Sequence, residues 1–354
     1  MISFGSDNHA ATHPDLLNAL IDCNQGYAPS YGTDEWSEKA KLEFNKLFNK
    51  NVETFFVFNG TGANVTALKS STQSWNSVLV SDVSHLNVDE CGAPETLAQC
   101  KLIPIASKDG KIHLNDLKKH LIRRGDQHYS QVKGVSLTQP TELGTCYTID
   151  EIKEITDWAH QNKLFVHIDG ARIGNAVTYL KTDFESLFVK TNVDVISFGG
   201  TKNGFMMGEA VVFLNTSLAK DFIFIRKQCL QLPSKTRYIA SQFKKALEEN
   251  LWHKISSHSL EMASLLADKL KMIPEVKVSY PVQSNAVFAI MPKQWVKELR
   301  KKFFFYIWDE HSFEVRLMTS WQTNPEEINA FIEEINSLKS LKEKSNEIPA
   351  GSLP

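Results

Sequence analysis

The chain has 354 residues, 42% of them hydrophobic and 23% charged, with a formal net charge of −2. That is enough for a large core plus a smaller domain, and the near-neutral balance, with no basic block, argues against a nucleic-acid partner. Five cysteines, Cys23, Cys91, Cys100, Cys146 and Cys229, form no CxxC pair. Their odd number and scatter suit reduced thiols better than a disulfide frame or a cysteine zinc site, and no metal is expected. The opening "MISFGSDNHAATHP" lacks a charged segment followed by an apolar one, and no run is long and apolar enough to span a bilayer. A cytoplasmic protein with no membrane contact is the expectation.

In chain order, short apolar runs predict strands at "TFFVFN" (54–59), "SVLVSD" (77–82), "KLIPIA" (101–106), "VKGVSLTQP" (132–140), "LFVHIDG" (164–170), "VDVISFGG" (193–200) and "EAVVFLN" (209–215). Helical patterns lie between several of them. The clearest is "TIDEIKEITDWAHQNK", where Thr148 as N-cap and Glu151 three residues on predict a capping box. Strands spaced by helices of this length indicate an α/β domain on a mainly parallel sheet. From about Ser241 the pattern becomes a smaller α+β domain: helix "SLEMASLLADKLKMI", strands in "VKVSYPVQSNAVFAIM" and "FEVRLMTSW", and a closing helix "NPEEINAFIEEINSLKSL". The expected division is 1–240 with the N-terminal segment, 241–340, and a polar, disordered tail over 341–354.

Ligands of such sheets bind beyond the carboxyl ends of the strands, so the residues there carry the functional reading. "NGTGAN" places Gly60 and Thr61 at the start of a helix, where backbone N–H groups can receive an anion, although small residues at such a turn also serve purely steric ends. Neither a Walker loop nor a GxGxxG fingerprint is present. Asp169 closes an apolar strand and needs a partner, a role that Arg172 three residues later can itself fill. Lys202, in "GGTKNG", follows Asp169 by 33 positions, one helix and one strand later, so both reach the same crevice. A lysine, a carboxylate and a glycine-threonine cradle together match what pyridoxal phosphate requires: an amine to attach it, a partner for its ring nitrogen and a clamp for its phosphate. The glycines around Lys202 are expected to let the chain pass close to a flat cofactor.

"SDNHAATHP", "YGTDEWSEKAKLEF", "FNGTGANVTAL", "HLNVDECGAPE", "DQHY", "LTQPTELGT", "HIDGARIGNA", "SFGGTKNGFMMGEAVVF", "SKTRY", "PVQSNAVF" and "VRLMTSW", collinear from about Ser6 to about Thr323, resemble the low-specificity threonine aldolases, a group that includes phenylserine aldolases. The resemblance implies the aminotransferase-like fold type I of pyridoxal phosphate enzymes, with a large seven-stranded domain and a small C-terminal one. It implies Lys202 as the attachment point, Asp169 at the ring nitrogen, Gly60 and Thr61 at the phosphate and His85 against the ring. Ser6, Arg172 and Arg316 would take the substrate carboxylate, with Arg172 also near the cofactor, and His128 would approach the substrate hydroxyl. A histidine, His85 or His128, would act as general base. Lys235 and Arg237 would reach the cofactor phosphate from a neighbouring subunit, making the active form a homodimer or homotetramer with shared sites. Glu90, five residues after His85, either orients a group in the site or is merely solvated.

The implied activity is cleavage of L-threonine, L-allo-threonine and related β-hydroxy-α-amino acids, phenylserine included, to glycine and an aldehyde. The rival readings are a β-eliminating lyase or an aminotransferase of the same fold, and a non-catalytic binding protein that kept the fold.

Overall fold

The computed structural model describes the backbone of residues 1–346 and the side chains of residues 1–340. A two-residue strand, β1 (Ile2–Ser3), is followed by β2 (Glu53–Val57), β3 (Asn76–Ser81), β4 (Lys101–Ile105), β5 (Gln131–Thr138), β6 (Phe165–Gly170), β7 (Val195–Phe198) and β8 (Glu209–Phe213). The last seven form one sheet in the order β2-β8-β7-β6-β5-β3-β4. Only β8 runs antiparallel to its neighbours. Every residue of β3, β6, β7 and β8 is buried, which is why these strands read as continuous apolar runs rather than as alternation. The seven strands stand where the sequence put them, each within a few residues.

One face of the sheet carries a core that includes Phe44, Val135, Ile155, Ile168, Phe198 and Phe243; the other is covered in part by the helix Gly60–Ser71, through Val65 and Leu68, and by Phe222. The helix Ile149–Gln161 begins with the predicted capping box between Thr148 and Glu151. Its two reciprocal bonds satisfy backbone donors that the first helical turn leaves open.

The second core gathers Leu266, Val287, Val315, Phe331 and, from the far end of the chain, Phe4. It is backed by β9 (Lys277–Val278), β10 (Ala286–Ile290), β12 (Tyr306–Asp309) and β13 (Glu314–Met318) in the antiparallel order β12-β13-β10-β9, while β1 pairs with β11 (Phe303–Phe304). Two of the expected boundaries shift. Position 240 lies inside the helix Arg237–Glu248, whose Ala240, Phe243 and Leu247 belong to the large core. The change of core comes within the helix Leu251–Lys271, where Ile255 packs with the first cluster and Met262 with the second. The N-terminal strand, in a two-stranded sheet with β11, packs with the second core, because a long amphipathic helix and a pairing strand both follow the apolar surface available to them. The expected tail also begins later than 341: the last helix runs Pro325–Asn346, and 347–354 lie outside the described residues. Among the described residues no helix is long and apolar enough to cross a membrane.

Candidate active site

The carboxyl ends of β3, β5, β6 and β7 open onto a cavity of about 210 Å³. Gly60, Asn64, His85, Asp169 and Lys202 line it from the large domain, Trp308 and Arg316 from the small one, and Ser6 from the N-terminal segment.

Asp169, the penultimate residue of β6, is buried; its Oδ1 accepts from the Ala171 backbone N–H at 3.1 Å and its Oδ2 from Asn64 Nδ2 at 2.9 Å. The same Asn64 amide reaches Glu90 Oε1 at 2.8 Å, and that oxygen also meets His85 Nδ1 at 2.8 Å. Asn64 therefore ties two buried carboxylates together through donors, which offsets the cost of placing them side by side. The hydrogen bond to Glu90 raises the His85 pKa above the usual histidine value, outweighing the opposing effect of burial. Glu90 is thus an orienting group rather than a solvated one.

Lys202 sits in the turn after β7. The Arg172 charge and burial hold its pKa below the ordinary lysine value, and among the described residues it has no salt-bridge partner. A half-buried, weakened ammonium without a carboxylate is unusual for a structural lysine and suits a nucleophilic amine. The glycines before it do something other than expected. A Cβ on Gly199 would lie 2.1 Å from the Ala171 carbonyl oxygen, and one on Gly200 would lie 2.3 Å from that of Gly208. They let the strand ends approach each other, and this close packing of the chain on itself sets where Lys202 emerges. Glu209 fixes the same turn from β8 by accepting the Gly200 N–H at 2.5 Å, and burial pushes its carboxyl up to about 7.

Arg172 does not pair with Asp169. Its Nε and Nη2 donate to Asp7 at 2.6 and 2.9 Å, a bidentate clamp from the N-terminal segment. Burial opposes the ionised Asp7, but the Arg172 charge and hydrogen bond together keep its pKa below the usual value. Asn285 adds a donor to Asp7 at 3.1 Å and accepts from Asn175 at 2.9 Å, linking the small domain to the large one. Arg316 is placed differently. It lies over the rings of Trp308 at 5.1 Å and Tyr306 at 5.6 Å, and among the described residues its Nε has no hydrogen-bond partner. Burial and the Arg172 charge lower its pKa.

The remaining expectations divide. Gly60 lines the cavity, whereas Thr61 sits at the same helix N-terminus outside the lining. His128 does not join the cluster. It is exposed, three residues before β5 begins, while Thr138 at the other end of β5 lines the cavity. Strand rise alone separates those ends by roughly 23 Å. Lys235 and Arg237 also lie elsewhere: Lys235 lines an apolar groove with Leu17, Ile21, Phe58 and Met206, and Arg237 points at the Gln25 and Gly26 carbonyl oxygens.

Sequence reasoning did not assign roles to Asp7, Asn64, Glu142 or Trp308. Asp7 stands beside Ser6 in "SDN" and Asn64 inside "NGTGAN", so both were within quoted motifs; their partners lie 165 and 105 residues away, respectively.

A family model described as beta-eliminating lyase matches residues 3–293. Two proteins named low specificity L-threonine aldolase, from a Pseudomonas species and from Pseudomonas aeruginosa, are each 37% identical to this chain, over 95% and 94% of it and 98% and 96% of their own lengths. A solved structure of a Leishmania major threonine aldolase superposes with a TM-score of 0.90 at 27% identity, covering 96% of this chain and 99% of that one. A NifS-like protein with a TM-score of 0.73 at 15% identity shares the fold.

Proposed function

We propose that this chain, which belongs to the beta-eliminating lyase family and within it to the low-specificity L-threonine aldolases, is a pyridoxal phosphate-dependent lyase. It splits the Cα–Cβ bond of L-threonine, L-allo-threonine and related β-hydroxy-α-amino acids, phenylserine among them, to glycine and an aldehyde. The observation that carries the reading is Lys202, a half-buried amine with no salt-bridge partner among the described residues, sharing one cavity with a buried Asp169 and with Arg316, which has no carboxylate partner among them either.

The residues present fit the cofactor. Among the described residues, buried atoms of three lining side chains have no partner, Asn64 Oδ1, Glu142 Oε2 and Arg316 Nε, as expected where a polar ligand belongs. Lys202 supplies the amine that would hold it, the N-terminus of the helix Gly60–Ser71 would supply N–H groups for its phosphate, and His85 lines the same cavity. Bound there, pyridoxal phosphate draws electrons away from the substrate Cα.

Asp169 is held in place by the Asn64 and Ala171 donors, one on each oxygen, where it can face a protonated ring nitrogen. Arg316 and the Ser6 hydroxyl receive the substrate carboxylate. Arg172, already committed to Asp7, positions that segment and lowers the Lys202 pKa. Held by its carboxylate, the substrate turns Cα–Cβ toward the bond-breaking orientation, a positioning effect. Lys235 and Arg237 contribute from a neighbouring copy in a cytoplasmic homodimer or homotetramer; the apolar groove beside Lys235 supports such a contact.

The test is product analysis with L-threonine, L-allo-threonine and phenylserine. Equimolar glycine and aldehyde are expected, and Lys202→Ala should release neither. Ammonia with a keto acid would overturn the reading in favour of β-elimination, and amino-group transfer to an added keto acid in favour of transamination.

A further inference from the structure

We infer that Glu142 is a proton-transfer residue of this cavity, taking the proton of the substrate's β-hydroxyl as the Cα–Cβ bond breaks; the inference rests on the aldolase reading above. Glu142 lies in the loop after β5 and lines the cavity that also holds Lys202 and Asp169. Its Oε1 is fixed by two donors, the His85 backbone N–H at 2.7 Å and the Thr138 hydroxyl at 2.9 Å. Its Oε2 is buried and, among the described residues, has no partner. A carboxyl group located by one oxygen and free at the other is the arrangement a proton acceptor needs.

Its surroundings keep the charge poised. Asp169 on β6 repels it, Arg172 just beyond β6 attracts it, and Tyr147 lies close enough to feel its charge, while Lys202 and His85 share the cavity. Burial and then Asp169 push the Glu142 carboxyl up to about 7. An acid–base group works best when its pKa lies near the working pH. The histidines are less suited: His128 is outside the cavity, and His85 spends Nδ1 on Glu90, which favours its protonated form.

The step balances within the site. The hydroxyl O–H bond breaks and its electron pair becomes the second bond of the aldehyde C=O. The Cα–Cβ pair stays with Cα, and the proton passes to Glu142 Oε2. The neutral carboxyl then returns that proton to Cα, completing the C–H bond of glycine and restoring the carboxylate.

The holoenzyme is compared with Glu142→Gln and Glu142→Asp. In the glutamine variant, cofactor absorbance and glycine affinity should hold, KM should change by no more than about threefold, and kcat for cleavage should fall about 10²- to 10⁴-fold. The wild-type kcat should rise with pH through about 7, and that limb should vanish in the glutamine variant, with aspartate restoring part of both. Independently of activity, infrared difference spectra should show two carboxyls titrating near pH 7, one of them lost in Glu142→Gln and the other in Glu209→Gln. A glutamine variant with kcat within about threefold of wild type and an unchanged acid limb would overturn the inference, as would loss of glycine binding together with kcat, which marks a structural prop. Absence of aldehyde from the wild type sinks the aldolase reading instead, and the infrared titration still decides whether Glu142 holds a proton in this range.

Discussion

On the sheet side of the cavity, Asp169, Glu90 and Glu142 each accept from named donors. The small-domain side ends in Arg316, which has two aromatic rings and the Gly5 carbonyl oxygen at 3.4 Å for neighbours, and no carboxylate among the described residues. The carboxylates of the sheet side are in place before anything binds, since each already accepts from a backbone or amide donor. The rim keeps one cation uncompensated, and a bound anion is what compensates it. Pre-assembly belongs to the elements locked into the sheet, and substrate capture to the element that reaches over it.

The largest effect expected on either wall comes from Lys202→Ala. It should lower aldehyde formation on the order of a thousand-fold or more, measured at saturating substrate, while the urea midpoint stays close to wild type. Equal activity would remove the sheet side's claim to the chemistry.

Arg172→Leu tests whether an arginine on the sheet side differs in kind from Arg316. It leaves Asp7 buried and unpaired, so about 3–5 kcal/mol of stability should be lost in urea unfolding. The remaining Lys202 should titrate at higher pH, because its largest suppressing charge is gone. Loss of substrate affinity without loss of stability would instead make the two arginines equivalent.

Glu209→Gln probes the support beneath Lys202. The Glu209 pKa is raised to about 7 in the folded protein from an ordinary 4.5. Between these values the folded state binds more protons than the unfolded, so stability should fall as pH rises from 4.5 to 7. The whole effect is at most about 3 kcal/mol. Glutamine still accepts the Gly200 N–H, so the variant should show a flatter profile when urea midpoints at pH 5 and pH 7.5 are compared.

Arg316→Leu should act on binding with little effect on stability. Loss of a charge-assisted contact worth about 1.5–3 kcal/mol corresponds to a KM rise of about 10- to 100-fold. Destabilisation comparable to that of Arg172→Leu would erase the distinction between the two walls.

The seven strands were readable because a buried parallel sheet demands unbroken apolar runs, and their ends pointed to Asp169 and Lys202. The Thr148 cap was readable for a similar reason, since both its bonds lie within four residues. The pairing of Arg172 was not: the sequence offered Asp169 three positions away, and the fold chose Asp7, brought in by a strand that pairs with β11. His128 shows the opposite failure. A motif match carries no information about which end of a strand a loop occupies, and β5 runs away from it toward the site.

What the chain determines by itself is therefore local or periodic: the alternation of strands and helices, the capping box, the residues at the strand ends and the motifs that resemble the aldolases. Tertiary structure alone decided the partners. Asn64 joins Asp169 to Glu90, Asp7 takes Arg172, and Glu142 keeps one oxygen free beside Lys202. Hydrogen bonds and ion pairs act over about 3–4 Å in space, whatever the separation in sequence, and a single chain read in order does not contain those distances.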